Sequence, residues 1–226
     1  ALMDSCNEAV ALAALSLGVP LDLEAAKAMA AQSYEVHRFS ARVFIDKYGK
    51  DLGFGWHEMS PLYHNKLIEL DKERNLIPFN PALQDAFRAS SRHHYINTHA
   101  SRAWAQHVVG KLGIAECIRG IVAHEDTDYA LKCSSDVPVM RSLDMAGLET
   151  RDTSRAVFIE DTLPNLYQPW RIGMNTVGVA PEGANDEIPQ YVDAIMADAV
   201  ALLTLQNENA LRPERVFTMP RPVVGV

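Results

Sequence analysis

The chain has 226 residues, 48% hydrophobic and 22% charged, with a formal net charge of −8. That length suits one domain with a sizeable core, or a core with a small cap. The acidity excludes a general nucleic-acid or anionic-membrane binder, leaving room for a local basic pocket that holds one phosphate.

Residues 2–17 carry a helical pattern, with Cys6, Val10, Ala13, Ala14 and Leu17 on one face. Asp4 or Ser5 can cap that helix, and Gly18-Val19-Pro20 ends it. A second helix is expected from Leu23 through Tyr34, rich in alanine. Residues 36–76 are again helical in pattern, interrupted at Tyr48-Gly49 and at Gly53-Phe54-Gly55, and Ser60-Pro61 reads as a fresh helix start. Residues 18–77 thus form a small all-helical unit. Its aromatics, Phe39, Phe44, Tyr48, Phe54, Trp56 and Tyr63, are expected to be its core rather than a stacking platform.

Ile77-Pro78-Phe79-Asn80-Pro81 is the linker. Beyond it the expected order is a short helix (81–89), a strand (93–98), a helix (101–112) and a strand (118–123). A helix over 137–146, closed by Gly147, and the strand Ala156–Ile159 follow. After a further helix and the strand Thr176–Val179 comes an amphipathic helix, Ile188–Leu205, with Ile188, Val192, Ile195, Ala199 and Leu202 on one face. The proline-bearing tail, Arg212 to Val226, is expected to wrap the surface. Strands alternating with helices define a parallel α/β sheet covered on both faces.

No run reaches the roughly 18 apolar residues of a membrane span, and the opening residues lack the basic-then-apolar order of a secretory leader. Three scattered cysteines, Cys6, Cys117 and Cys133, make neither a disulfide framework nor a CxxC knuckle, so a cytoplasmic location is expected.

The chemistry concentrates between Arg155 and Val179. A short apolar strand ends there on two adjacent acids, Glu160 and Asp161, with Asn165 in the following turn. In open α/β sheets ligands bind outside the carboxyl ends of strands. Two carboxylates held together at such an end call for positive charge between them, and Mg²⁺ is the simplest candidate. The competing reading makes them solvated acids, with Asp161 or Thr162 capping the next helix. At the end of the 93–98 strand, Thr98 either caps a helix or, with free backbone N–H groups, binds an anion. His93 and His94 point to opposite faces of that strand and cannot share one site. The run His124-Glu125-Asp126-Thr127-Asp128 reads as a solvated loop, with a contribution to the metal shell as the lesser alternative.

The spacing of Glu160-Asp161, Asn165-Leu166, Gly173-Met174 and Thr176-Val177 resembles the fourth motif of the haloacid dehalogenase (HAD) superfamily, in its pyrimidine 5′-nucleotidase branch. The resemblance runs from about Leu2 to Leu205. It implies a Rossmann-like, HAD-like parallel sheet core (1–17 and 78–226) with a helical cap (18–77) closing over the site. It further implies Mg²⁺ on Glu160 and Asp161, Thr98 and His99 in the second motif at the substrate phosphate, and a third-motif lysine. The expected lysine position is Ser134, which leaves Lys132 to reach the same place.

The family's first motif, Asp-x-Asp-x-Thr, does not occur in the chain. The chain opens on Ala1 without an initiator Met, and the resemblance sets its first helix just after that motif. The nucleophile is therefore expected upstream of Ala1, on the strand at the middle of the sheet. The implied activity is hydrolysis of a small phosphate ester such as a pyrimidine nucleoside monophosphate, through an aspartyl-phosphate. A non-catalytic HAD-fold binding protein is the alternative. Haloacid dehalogenation, which needs no Mg²⁺, is disfavoured by the paired acids.

Overall fold

The computed structural model describes residues 2–179 and 188–207; the expectation for the tail, Arg212 to Val226, lies outside them. The helices are α1 (Leu2–Ser16), α2 (Leu23–His37), α3 (Arg42–Phe44), α4 (Lys50–Leu52), α5 (Trp56–Arg74), α6 (Pro81–Ala89), α7 (Arg102–Lys111), α8 (Val137–Ala146), α9 (Tyr167–Arg171) and α10 (Ala199–Asn207). The strands are β1 (His94–Asn97), β2 (Ile118–Val122), β3 (Val157–Glu160), β4 (Asn175–Val179) and β5 (Ala194–Met196). Among the described residues, no helix is long and apolar enough to cross a membrane.

The chain divides into two compact units. The first draws on residues 1–79, 100–112 and 123–125, and so joins α1 and α7 to the helices of the 18–77 segment. Its core is Val10, Ala14, Ala26, Ala30, Phe44, Phe54 and Met59, with Tyr48, Trp56 and Tyr63 packed against it. Phe39 lies at the edge of that core, against Trp56 and the buried ring of His124. The run His124–Thr127 forms a 3₁₀ turn that buries His124 and Thr127, while the acids Glu125 and Asp128 are exposed.

Two expectations for this unit are corrected. Tyr48-Gly49 does not break the helix. The backbone relaxes into a π-helical stretch over Ile45–Gly49 and continues into α4. There Gly49 is required by close approach, because a Cβ would sit 2.5 Å from the Phe54 carbonyl oxygen. Since that neighbour is backbone, Gly49→Ala is expected to lower stability by about 1–3 kcal/mol, read as a reduced midpoint in thermal unfolding. Nor does α5 begin at Ser60-Pro61. It begins five residues earlier, where the Glu58 carboxylate accepts from the Gly55 N–H at 2.7 Å. Pro61 sits inside the helix on its exposed face, where water can serve the carbonyl that loses its donor.

The second unit draws on residues 80–99, 113–122 and 126–226 and holds all five strands. Every pairing is parallel, but the strands form two sheets: β1 with β2, and β3-β4-β5 in that order. Val139 and Leu143 of α8 pack with Phe158, Leu166, Met174 and Val192 to form its main core. Among the described residues, β1 and β3 each pair on one edge only. Val157 and Ile159 of β3 are 38% and 41% exposed.

The helix expected over Ile188–Leu205 is corrected. Residues 194–196 are strand β5, and α10 starts at Ala199, with Asp198 accepting from the Ala201 N–H at 2.8 Å. The cause is non-local. The Asp193 carboxylate accepts from the Thr176 N–H at 2.8 Å, and the Thr176 hydroxyl donates to the Tyr191 carbonyl at 2.9 Å. These bonds hold the segment extended beside β4, against its helical periodicity.

Candidate functional site

The site is built in the second unit from the carboxyl ends of β1 and β3. Beyond Asn97, the Thr98 N–H donates to the Val122 carbonyl at 2.9 Å, which extends the β1–β2 ladder by one residue. Thr98 is thereby fixed at the strand end, half-buried. Asn97 is tied down by its side-chain amide, which donates to the Pro138 carbonyl at 2.7 Å and the Ser142 hydroxyl at 2.8 Å. The strand end is thus anchored to the first turns of α8.

Lys132 bridges the two sheets. Its ammonium donates to the Asn97 carbonyl at 3.4 Å and to the Glu160 carboxylate, and lies over the Phe158 ring, 6.0 Å from the centroid. The Lys132 and Glu160 side chains are 9% and 8% exposed, so this is a buried ion pair. The other Glu160 oxygen accepts from the Thr162 N–H at 3.2 Å. Burial pushes the Glu160 carboxyl up; Asp161 adds to this, Lys132 and the Thr162 N–H oppose it, and the net position is above the usual carboxylate range. Asp161 itself is exposed.

His99 contributes a contact the sequence did not reveal: its Nε2 accepts the Lys132 backbone N–H at 2.9 Å. Ser134 stands two residues beyond Lys132 on the exposed side of the same turn. The structure therefore brings Lys132, not Ser134, to the acids. Asn165 is buried in the turn after β3, its N–H bonded to the Thr162 carbonyl at 2.8 Å. The anchoring role of Asn97 is not evident in the sequence, where its signal is only a lone Asn at a strand's last position.

Among the described residues, no three His, Cys, Asp or Glu side chains converge as a metal site. Glu160 and Asp161 remain a two-acid pair. Magnesium is commonly held by one or two carboxylates, with waters and a substrate phosphate completing the shell. With both Glu160 oxygens hydrogen-bonded, Asp161 is the more accessible ligand of the two.

No protein-family model matches the chain, and no curated protein matches it. Solved structures do. A HAD phosphatase from Thermococcus onnurineus superposes with a TM-score of 0.54, at 15% identity over 89% of this chain and 87% of that one. A 2-haloacid dehalogenase from Pseudomonas syringae pv. Tomato DC3000 gives 0.54 at 18% identity, over 91% and 90%. A third, a dehalogenase, gives 0.51 at 13% identity, over 87% and 90%. The chain has the HAD-like fold: a Rossmann-like parallel α/β core with helical elements.

Proposed function

We propose that the protein is a HAD-type hydrolase acting on a small phosphate ester, with a pyrimidine nucleoside monophosphate as the favoured substrate. The observation that carries this reading is the buried Lys132 ammonium, joined to Glu160 and the end of β1. A cation at that point counters the charge of a phosphate beside carboxylates. Thr98 holds phosphate oxygens, and Glu160 with Asp161 holds Mg²⁺, which when bound neutralises phosphate charge. Residues 18–77 are the cap that selects the substrate.

The nucleophile belongs to an Asp-x-Asp strand that pairs with the edges of β1 and β3 that have no partner among the described residues. Its first Asp attacks phosphorus, the P–O ester bond breaks, and the second Asp protonates the departing oxygen. The same second Asp then takes a proton from the water that cleaves the aspartyl-phosphate, releasing phosphate and restoring the first Asp. The paired acids, and the edges of β1 and β3 unpaired among the described residues, support this reading.

The test is phosphate release from an aryl phosphate and from UMP, by the chain as it stands and joined to an upstream Asp-x-Asp segment. The joined chain is expected to turn over with Mg²⁺, to stop with EDTA, and to lose about 100-fold in rate with Asp161→Asn. Release unaffected by EDTA would remove Mg²⁺ from the reading and leave metal-free cleavage of the phosphate ester. No release from the joined chain would leave the non-catalytic binding protein, which lacks turnover by definition.

A further inference from the structure

Lys132 is gripped at both ends by residues of one strand end. Its ammonium meets the Asn97 carbonyl at 3.4 Å, and its backbone N–H meets His99 Nε2 at 2.9 Å. The turn around it closes without it: the Ser134 and Ser135 N–H groups both bond to the Leu131 carbonyl, at 3.2 and 2.9 Å. Those bonds fix Leu131 and leave the Lys132 N–H directed at the strand end. Lys132 is buried, so loss of that acceptor strands a buried donor. It also frees the backbone from which the ammonium is aimed.

We infer that His99 is a positioning residue for Lys132, acting as a neutral imidazole whose Nε2 lone pair holds the Lys132 backbone. A nitrogen that accepts an N–H carries no proton, so the neutral ring bears its proton on Nδ1. The opposite tautomer would set two donors against each other. His99 was expected to contact substrate; its Nε2 is committed to the chain itself, so this nitrogen acts on the phosphate through Lys132. The placement matters because a shift of about 1 Å in a charged group can lower a rate by about 100-fold. The kinetic part of this inference rests on the proposed hydrolase; the tautomer does not.

Two experiments test it. The first is ¹⁵N NMR of histidine-labelled protein at neutral pH, with the His99 signals assigned by their loss in His99→Gln. Nε2 is expected at the shift of an unprotonated, hydrogen-bonded nitrogen. A protonated Nε2 overturns the inference, whether or not the protein turns anything over.

The second compares His99→Gln with His99→Phe in the joined chain. The Gln carbonyl reaches the place of Nε2, whereas Phe keeps the ring volume without an acceptor. Gln is expected to stay within about 3-fold of the native kcat, and Phe to fall about 10- to 100-fold, with KM little changed. A Phe variant with native kcat, or a loss confined to KM in both variants, overturns the inference. If native protein shows no turnover, the hydrolase reading fails and the tautomer alone decides for His99.

Discussion

Lys132→Met is expected to lower stability by about 3–5 kcal/mol at neutral pH, because it leaves the Glu160 carboxylate buried without its counter-charge. The pH dependence separates this from lost packing. Glu160 already titrates above the usual carboxylate range, burial being the leading cause. A folded-state pKa above the unfolded one means the native state binds more protons, so stability falls as pH rises through that window. Removing Lys132 pushes the carboxyl further up and deepens the fall. The gap between variant and native protein should be widest at neutral and alkaline pH and shrink as acid protonates Glu160. Urea melts at several pH values measure it. A double replacement, Lys132→Met with Glu160→Leu, should recover most of the loss, since an apolar pair can substitute for a buried ion pair. A single variant that loses less than about 1 kcal/mol at all pH values is the behaviour of an exposed pair, and would contradict the burial described above.

Asp71→Ala is expected to cost about 3–5 kcal/mol in the helical unit. Asp71 is fully buried, accepting from the Ile77 N–H at 2.7 Å and from His107 Nε2 at 2.6 Å, with the Lys111 ammonium 3.5 Å away. The residue joins the last turn of α5 to α7 and to the chain leaving α5. Burial pushes its carboxyl up, but His107, the Ile77 N–H and Lys111 outweigh this and hold it below the ordinary range. A depressed carboxylate contributes stability above its unfolded pKa of about 3.9 and loses it as pH falls through the folded value. The native protein should therefore lose stability on acidification by an increment that Asp71→Ala lacks. Chemical denaturation at pH 7 and near pH 3 reads both effects. Equal acid sensitivity in the two proteins would remove Asp71 as its source.

Much of the α/β core was legible because its signals are local. A short apolar run marks β3 and β4, Ser101 caps α7 through the Trp104 N–H, and Gly147, with φ of 66°, closes α8. What escaped depends on partners distant in the chain. The period of Ile188, Val192 and Ile195 is helical, yet Thr176 ties down the turn at Tyr191 and the Asp193 carboxylate that leads into β5, and a three-residue strand is too short to display alternation. Pro61 looked like a boundary because its sequence does not say that its side of the helix faces water.

At the site, the type of residue was legible and the choice between neighbours was not. Spacing allowed Ser134 or Lys132 to approach the acids, and only the turn geometry separates them. His99 was visible as a departure from the usual second motif. Its partner, a backbone N–H 33 residues away, is invisible to any reading of side-chain types.

Strand β3 has a consequence for handling the protein. Its Val-Phe-Ile-Glu sequence contains no proline and no lysine, the devices by which outer strands repel further pairing. Among the described residues its outer edge has no partner, and two β-branched side chains are exposed, the features of a strand edge that can template further pairing. Solubility of the chain on its own is thus a contest between that template and the mutual repulsion of net charge −8. High ionic strength weakens the repulsion and leaves the template untouched, so dilute, low-salt solutions are expected to keep the chain in solution.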